Sequence, residues 1–192
     1  MSNSYKIAVL PGDGIGPEVT AESVKVLNVL AQAFQYKFEF EYAKMGAEAI
    51  FETGNPLPEE TLTVCKNADA VLFGAIGDPY FDNNPDAKVR PEQGLLKLRK
   101  ELGLFANIRP IKTYSSLTKK SPLKKEIVDG TDIQIYRELI SGIYFGEKFT
   151  DENGEYAYDV CKYSKSEIER ITHLAFKDAQ KRRKKVTMID KT

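Results

Sequence analysis

One histidine and two cysteines among 192 residues remove several chemistries at the outset. A histidine-rich metal site and a Ser-His-Asp triad both depend on imidazole. His173, the single one, falls mid-way along an apparent helix, Ile-Thr-His-Leu-Ala-Phe, where a packed or surface ring is the simpler reading. Cys65 and Cys161 fit no metal or redox spacing, which leaves two ordinary thiols in a reducing compartment. Charge of one sign is lacking too: 28 lysines and arginines balance 28 aspartates and glutamates. That balance argues against a nucleic-acid or anionic-membrane binder, both of which favour a basic excess. The densest basic run, Lys181 to Lys185, closes an apparent helix and is read as a solvated terminus complementing the helix dipole. No stretch of about 18 apolar residues occurs, and no basic segment followed by an apolar one opens the chain. The expectation is therefore a soluble cytoplasmic protein, large enough to bury a core in one domain or two.

What is present reads as α/β. Tyr5 to Leu10 is a short apolar run, predicted as a buried strand, broken by Pro11-Gly-Asp-Gly-Ile-Gly-Pro-Glu18. Apolar residues then recur at helical spacing from Val19 to Phe34, and Lys37 to Tyr42 alternates as a strand. Asn55-Pro-Leu-Pro58 introduces a helix to about Asn67, Ala70 to Ile76 is a second buried strand, and 77–90 is a polar loop. Beyond it, Leu104 to Ile111 reads as extended, and Arg-Pro at 109–110 predicts its abrupt end. Residues 114–130 read as connection with some helix, and Asp132 to Arg137 as a strand. Gly142–Gly146 and Glu155–Val160 are predicted to flank a hairpin turn at Asp151-Glu-Asn-Gly154. Ser164-Lys-Ser-Glu167 is a capping box opening a helix to about Arg183, and Val186 to Asp190 reads as a last strand.

Between Arg90 and Pro110 lies the most informative stretch. Pro91 suits a first helical position, and Glu92, Leu95, Leu96 and Arg99 then share one helix face. A cation beside two isobutyl groups suits a small molecule carrying a carboxylate and a branched alkyl group; a solvated amphipathic helix is the alternative. Arg99, Arg109 and Arg137, on three different elements, fit either a dicarboxylate clamp or structural ion pairs. Gly12, Gly14 and Gly16 depart from the Rossmann spacing, because the third glycine comes one residue early. They make either a tight structural turn or a ligand-lining loop. Tyr144 and Lys191 are candidate proton carriers, each equally compatible with packing or solvent exposure.

Taken together, Leu10 to Glu18, Gly74-Ala-Ile-Gly77, Arg90 to Arg99, Asn107-Ile-Arg-Pro110, Arg137 to Glu147 and Asp190-Lys191 resemble the β-decarboxylating dehydrogenases in order and spacing, and most resemble the branch acting on isopropylmalate. The resemblance implies a two-domain, non-Rossmann α/β fold of that family. Here it would be incomplete: residues 1–103 would supply part of the first domain on the NAD and substrate side. Residues 104–192 would supply part of the second, with a dimerisation arm at about 143–160. It further implies NAD-dependent oxidative decarboxylation in leucine biosynthesis, by a homodimer using Mg²⁺ or Mn²⁺ on a small dicarboxylate.

Position by position, Arg99, Arg109 and Arg137 would bind the substrate carboxylates and Leu95 and Leu96 its isopropyl group. Ile15, Ala75, Ile76 and Glu92 would lie along the nicotinamide. Tyr144 would protonate the enolate, and Lys191 would help remove the hydroxyl proton. Isocitrate-specific members typically carry a small hydroxyl residue at the Leu95 position, which sets the isocitrate, homoisocitrate and tartrate enzymes apart as the sibling reading. Thr192 stands where members usually have alanine. The family's metal-binding aspartates and adenosine-binding segment follow the lysine, so the resemblance implies an N-terminal half, inactive alone. A non-catalytic truncated product or one half of a split enzyme is the remaining alternative.

Overall fold

The structure, a computed structural model, describes residues 3–84 and 86–189, and the chain divides into two compact units at Leu102/Gly103. In the first unit the strands β1 (Asn3–Gly12), β2 (Tyr36–Tyr42) and β3 (Ala70–Ala75) form a parallel sheet in the order β2-β1-β3. Ile7 pairs with Phe40 on one side and with Ala70 on the other. A central parallel strand is buried on both faces, which is why Ile7-Ala-Val-Leu10 is an unbroken apolar run and not an alternating one. The crossovers are helical: α1 (Gly16–Phe34) links β1 to β2, and α2 (Ala47–Thr53) and α3 (Glu59–Lys66) precede β3. Two further helices follow, α4 (Pro79–Asp82) inside the polar loop and α5 (Pro91–Glu101) after it. Leu10, Met45, Leu57, Leu62, Cys65 and Leu98 make the core. Burial pushes the Cys65 thiol up, so it serves as a packing atom and not as a nucleophile. No sequence expectation covered α2. Its seven residues are too short for a periodic signal, and it is delimited by Gly46 and Gly54, both at positive φ.

The second unit is built on an antiparallel ribbon of β4 (Ala106–Lys112) and β5 (Asp132–Glu138). Between them lie a 3₁₀ turn (Ser115–Lys120) and α6 (Lys125–Val128). The expected break at Arg109-Pro110 does not occur, since Pro110 pairs with Gln134 inside the strand. The reason is register. Leu139 N–H donates to Phe105 O and Thr113 N–H to Thr131 O, so odd-numbered β4 residues turn their backbone groups toward β5. Pro110 is even-numbered, and its ring nitrogen faces outward, where no ladder bond is lost.

Gly142–Gly146 is also not a strand. It holds a 3₁₀ turn, Gly142–Tyr144, and the hairpin strands are β6 (Lys148–Thr150) and β7 (Ala157–Asp159). Gly142 has φ 73°, its N–H donates to Lys162 O, and a Cβ there would lie 2.3 Å from the Tyr163 hydroxyl. Only glycine fits that approach.

Helix α7 (Lys165–Gln180) packs on one face of the ribbon, joined to β5 by Tyr136–Asp178 and Arg170–Glu138. The helix stops at Gln180, short of Arg183, and the basic run beyond it is not merely solvated. Arg182 reaches Asp132 Oδ1 at 2.7 Å and Arg183 donates to Asp132 O, so the two arginines clamp the start of β5. The expected strand at Val186–Asp190 is absent over its described part, 186–189. A strand needs a hydrogen-bonded neighbour, and among the described residues none pairs with this segment; Met188 and Ile189 are 86% and 90% exposed.

The capping box is as expected. Ser164 Oγ accepts from Glu167 N–H at 3.3 Å, and Glu167 Oε2 accepts from Ser164 N–H at 2.6 Å. The Ser164 N–H first, then the Ser141 and Ser164 hydroxyls, hold the Glu167 carboxyl down at about 2. A depressed carboxyl stabilises the fold above its ordinary value of 4.5, and that contribution is lost as pH falls toward 2. The Ser164 amide resonance is therefore expected to titrate with a midpoint near 2 and to stop titrating in Glu167→Gln. An ordinary carboxylate midpoint in the NMR titration would contradict this.

Candidate active site

In the first unit the candidate residues gather at the carboxyl ends of β1 and β3, where open parallel sheets bind their ligands. The turn after β1 is shaped by close backbone approach. A Cβ on Gly12 would sit 1.9 Å from Ala75 O, and one on Gly16 would sit 2.1 Å from Pro11 O and 3.0 Å from Ala75 N. Gly14, at φ 57°, has open space around it and serves the turn alone. Two of the three glycines are therefore needed for close packing. The turn nevertheless carries Ile15 outward, 56% exposed, while Asp13 N–H bonds to Ala75 O at 2.9 Å. Ala75 and Ile76 are half-buried, and Ile76 also packs against the core. Glu92 comes to the same place from α5, its Oε1 only 3.1 Å from where a Cβ on Gly77 would lie. Ile15, Ala75, Ile76 and Glu92 are thus one neighbourhood.

Helix α5 starts as Pro91 dictates, with Gln93 Oε1 accepting from Arg90 N–H. Pro91, Gly94 and Leu98 are buried, and Gly94 lies so close to Pro56 that a Cβ would meet its carbonyl at 2.6 Å. Along the face expected to present Glu92, Leu95, Leu96 and Arg99, Glu92 is exposed and the other three are half-buried, Leu95 also resting against the core cluster. Arg90 gave no sequence signal of its own role. Its guanidinium donates to Phe81 O at 2.8 Å and Asn84 O at 3.2 Å, pinning the polar loop to the helix start.

In the second unit Asn107 pairs with Arg137 and Arg109 with Ile135, so Asn107, Arg109 and Arg137 project from one ribbon face. Tyr136 and Glu138 take the other, toward α7. Asn107 Oδ1 accepts from Arg109 Nε at 2.5 Å and orients its guanidinium. Arg137 Nη2 donates to Tyr144 Oη at 2.9 Å, its Cζ 5.3 Å from the ring centroid. Of the three arginines, two are therefore neighbours on one surface, and Arg99 belongs to the other unit. Asn107 was missed as a positioning group; only its i, i+2 spacing to Arg109 on a strand could have signalled it. Lys191 lies outside the described residues. Among the described residues no group of three His, Cys, Asp or Glu is placed to hold a metal ion.

A face with two guanidiniums, one bonded to a phenol, suits a carboxylate that must be bound next to a proton donor. Residues 6–192 match the isocitrate/isopropylmalate dehydrogenase family. The chain belongs to that family. Relatives named 3-isopropylmalate dehydrogenase include one from Bacteroides fragilis (strain YCH46), 57% identical over 97% of this chain and 52% of its own length. Another, from Aquifex aeolicus (strain VF5), is 52% identical over 97% of this chain and 52% of its own. Among solved structures, an isocitrate dehydrogenase from Methylococcus capsulatus superposes with TM-score 0.74 at 25% identity, over 94% of this chain and 49% of that one. A β-decarboxylating dehydrogenase from Thermococcus kodakarensis superposes with TM-score 0.64 at 36% identity, over 93% and 46%. The chain spans about half the length of the relatives it matches. Within the family, the departure of Gly12, Gly14 and Gly16 from the Rossmann spacing agrees with the packing role seen for Gly12 and Gly16. Among the described residues no helix is long and apolar enough to cross a membrane.

Proposed function

We propose that this chain supplies the substrate- and nicotinamide-facing part of an enzyme that oxidatively decarboxylates 3-isopropylmalate to 4-methyl-2-oxopentanoate with NAD, the leucine-biosynthetic reaction. The observation that carries this reading is the shared ribbon face of Arg109 and Arg137 with Tyr144 hydrogen-bonded to Arg137. The substrate is a dianion, and guanidiniums hold carboxylates through paired hydrogen bonds that fix orientation as well as charge. Arg109 and Arg137 take this part in the second unit, and Arg99 takes it in the first. Leu96, half-buried and outside the core cluster, meets the isopropyl group, with Leu95 behind it.

Ile15, Ala75, Ile76 and Glu92 fit the nicotinamide end of NAD, because they form one wall at the strand ends. Held there, NAD would supply the hydride acceptor for the hydroxyl-bearing carbon. Carbon dioxide then leaves, and Tyr144 gives its phenolic proton to the resulting enolate carbon. Lys191 is the base for the hydroxyl proton. Among the described residues no group of three His, Cys, Asp or Glu is placed to hold Mg²⁺ or Mn²⁺. The hairpin β6–β7, with Phe149 stacked on Tyr158, is the arm through which two copies pair as a homodimer in the cytoplasm.

The test joins this chain to the C-terminal half of the Bacteroides fragilis relative and assays 3-isopropylmalate beside isocitrate, homoisocitrate and tartrate. Preference for 3-isopropylmalate is expected. Leu96→Ala is expected to cut kcat/KM for it by about 10- to 100-fold, since the alkyl contact is lost. Preference for one of the polar acids would overturn the substrate assignment.

A further inference from the structure

Asp13 has no part in the chemistry above, yet it is 5% exposed at the centre of the candidate nicotinamide wall. Its Oδ2 accepts from Gly77 N–H at 3.0 Å and its Oδ1 from Ala47 N–H at 2.8 Å. Its backbone N–H donates to Ala75 O at 2.9 Å, and its carbonyl accepts from Gly16 N–H at 2.9 Å. One residue thus ties the β1–α1 turn, the first residue of α2 and both ends of the segment Ala75–Gly77. Space around it is closed. A Cβ on Gly46 would lie 2.4 Å from Oδ2 and 2.7 Å from Oδ1, so the carboxylate fills the place a side chain would need.

We propose that Asp13 is the positioning residue of the nicotinamide wall, fixing the Ala75–Gly77 backbone against Glu92 and Ile15 so that the wall exists before NAD arrives. The inference rests on the reading of those residues as the nicotinamide side. Its physical basis is the acceptor count. Two backbone donors converge on two oxygens of one side chain, and a carboxylate satisfies both. An asparagine cannot, because its amide turns an NH₂ toward one of the two N–H groups. The segment bearing that N–H then shifts or finds water.

In the joined enzyme, Asp13→Asn is expected to raise the KM for NAD about tenfold or more, with the KM for 3-isopropylmalate changed less than about twofold. A purely structural loss lowers the amount of active enzyme and leaves both KM values alone. Asp13→Ser, smaller and retaining one acceptor, is expected to shift the NAD KM in the same direction, and it decides the matter if the asparagine enzyme is not recovered folded. An unchanged NAD KM in a folded variant overturns the proposal. Ile15→Ala and Glu92→Gln separate the two readings. If they raise the NAD KM and the Asp13 variants do not, only the role of Asp13 falls. If none of them does, the assignment of the wall falls as well.

Discussion

Purified by itself, the 192-residue chain is expected to make no NADH from 3-isopropylmalate and NAD with either Mg²⁺ or Mn²⁺. Co-expressed with the C-terminal half of the Bacteroides fragilis relative, it is expected to gain that activity. Two observations support this. The chain matches 52% of that relative's length, and among the described residues no acid cluster is placed for a divalent ion. Substantial apolar surface is also uncovered. Val26, Val29 and Phe34 on α1 are 59%, 64% and 64% exposed, and Val186 to Ile189 pairs with no strand. Burying such groups is worth about 25 cal/mol per Å², so a partner half gains affinity from the same surfaces that favour aggregation when bare. Turnover by the chain alone would refute the expectation. Persistent insolubility in the presence of the other half would favour a non-catalytic product over a split enzyme.

The second large effect is at Tyr144. In the joined enzyme Tyr144→Phe is expected to lower kcat by about 10²- to 10⁴-fold, the range for removal of a positioned general acid. KM for 3-isopropylmalate should move little, because the ring and the arginines remain. Arg137→Lys should instead move both parameters. The charge is retained, but the planar fork that reaches the Tyr144 hydroxyl and would hold a substrate carboxylate is lost, so KM rises along with the fall in kcat. A Tyr144→Phe enzyme with kcat within a few-fold of the parent would remove the phenol from the mechanism. The contrast between the two variants distinguishes proton donation from simple packing of Tyr144 beneath the guanidinium.

Where one physical rule governs a segment, the sequence is readable. The apolar run from Tyr5 to Leu10 announced a buried strand, Pro91 opened α5, and Ser164-x-x-Glu167 opened α7. Contacts between segments distant in sequence were not readable. Nothing local in Gly-Asp-Gly shows that the aspartate will cap a helix 34 residues later and bind an amide 64 residues later. The close approach of Gly94 to Pro56, which seats α5, is likewise something periodicity does not encode. Gly142-Ile-Tyr-Phe-Gly146 has strand-like residues, but the Tyr163 hydroxyl fills the space beside Gly142 and the backbone turns instead. The apolar content of 186–189 was real, and what it lacked was a neighbour. The arginines were identifiable as residues; the common face of Arg109 and Arg137 depended on the β4–β5 register.

That register gives Pro110 a second consequence. The outer side of β4 is an open row of donors and acceptors, the kind of template on which a foreign strand can add. Pro110 removes one donor from the middle of that row, so any strand extending the ribbon there must leave a carbonyl unmatched. The proline that the ladder tolerates is also a built-in guard against indiscriminate edge pairing, placed one residue from an arginine proposed to hold the substrate.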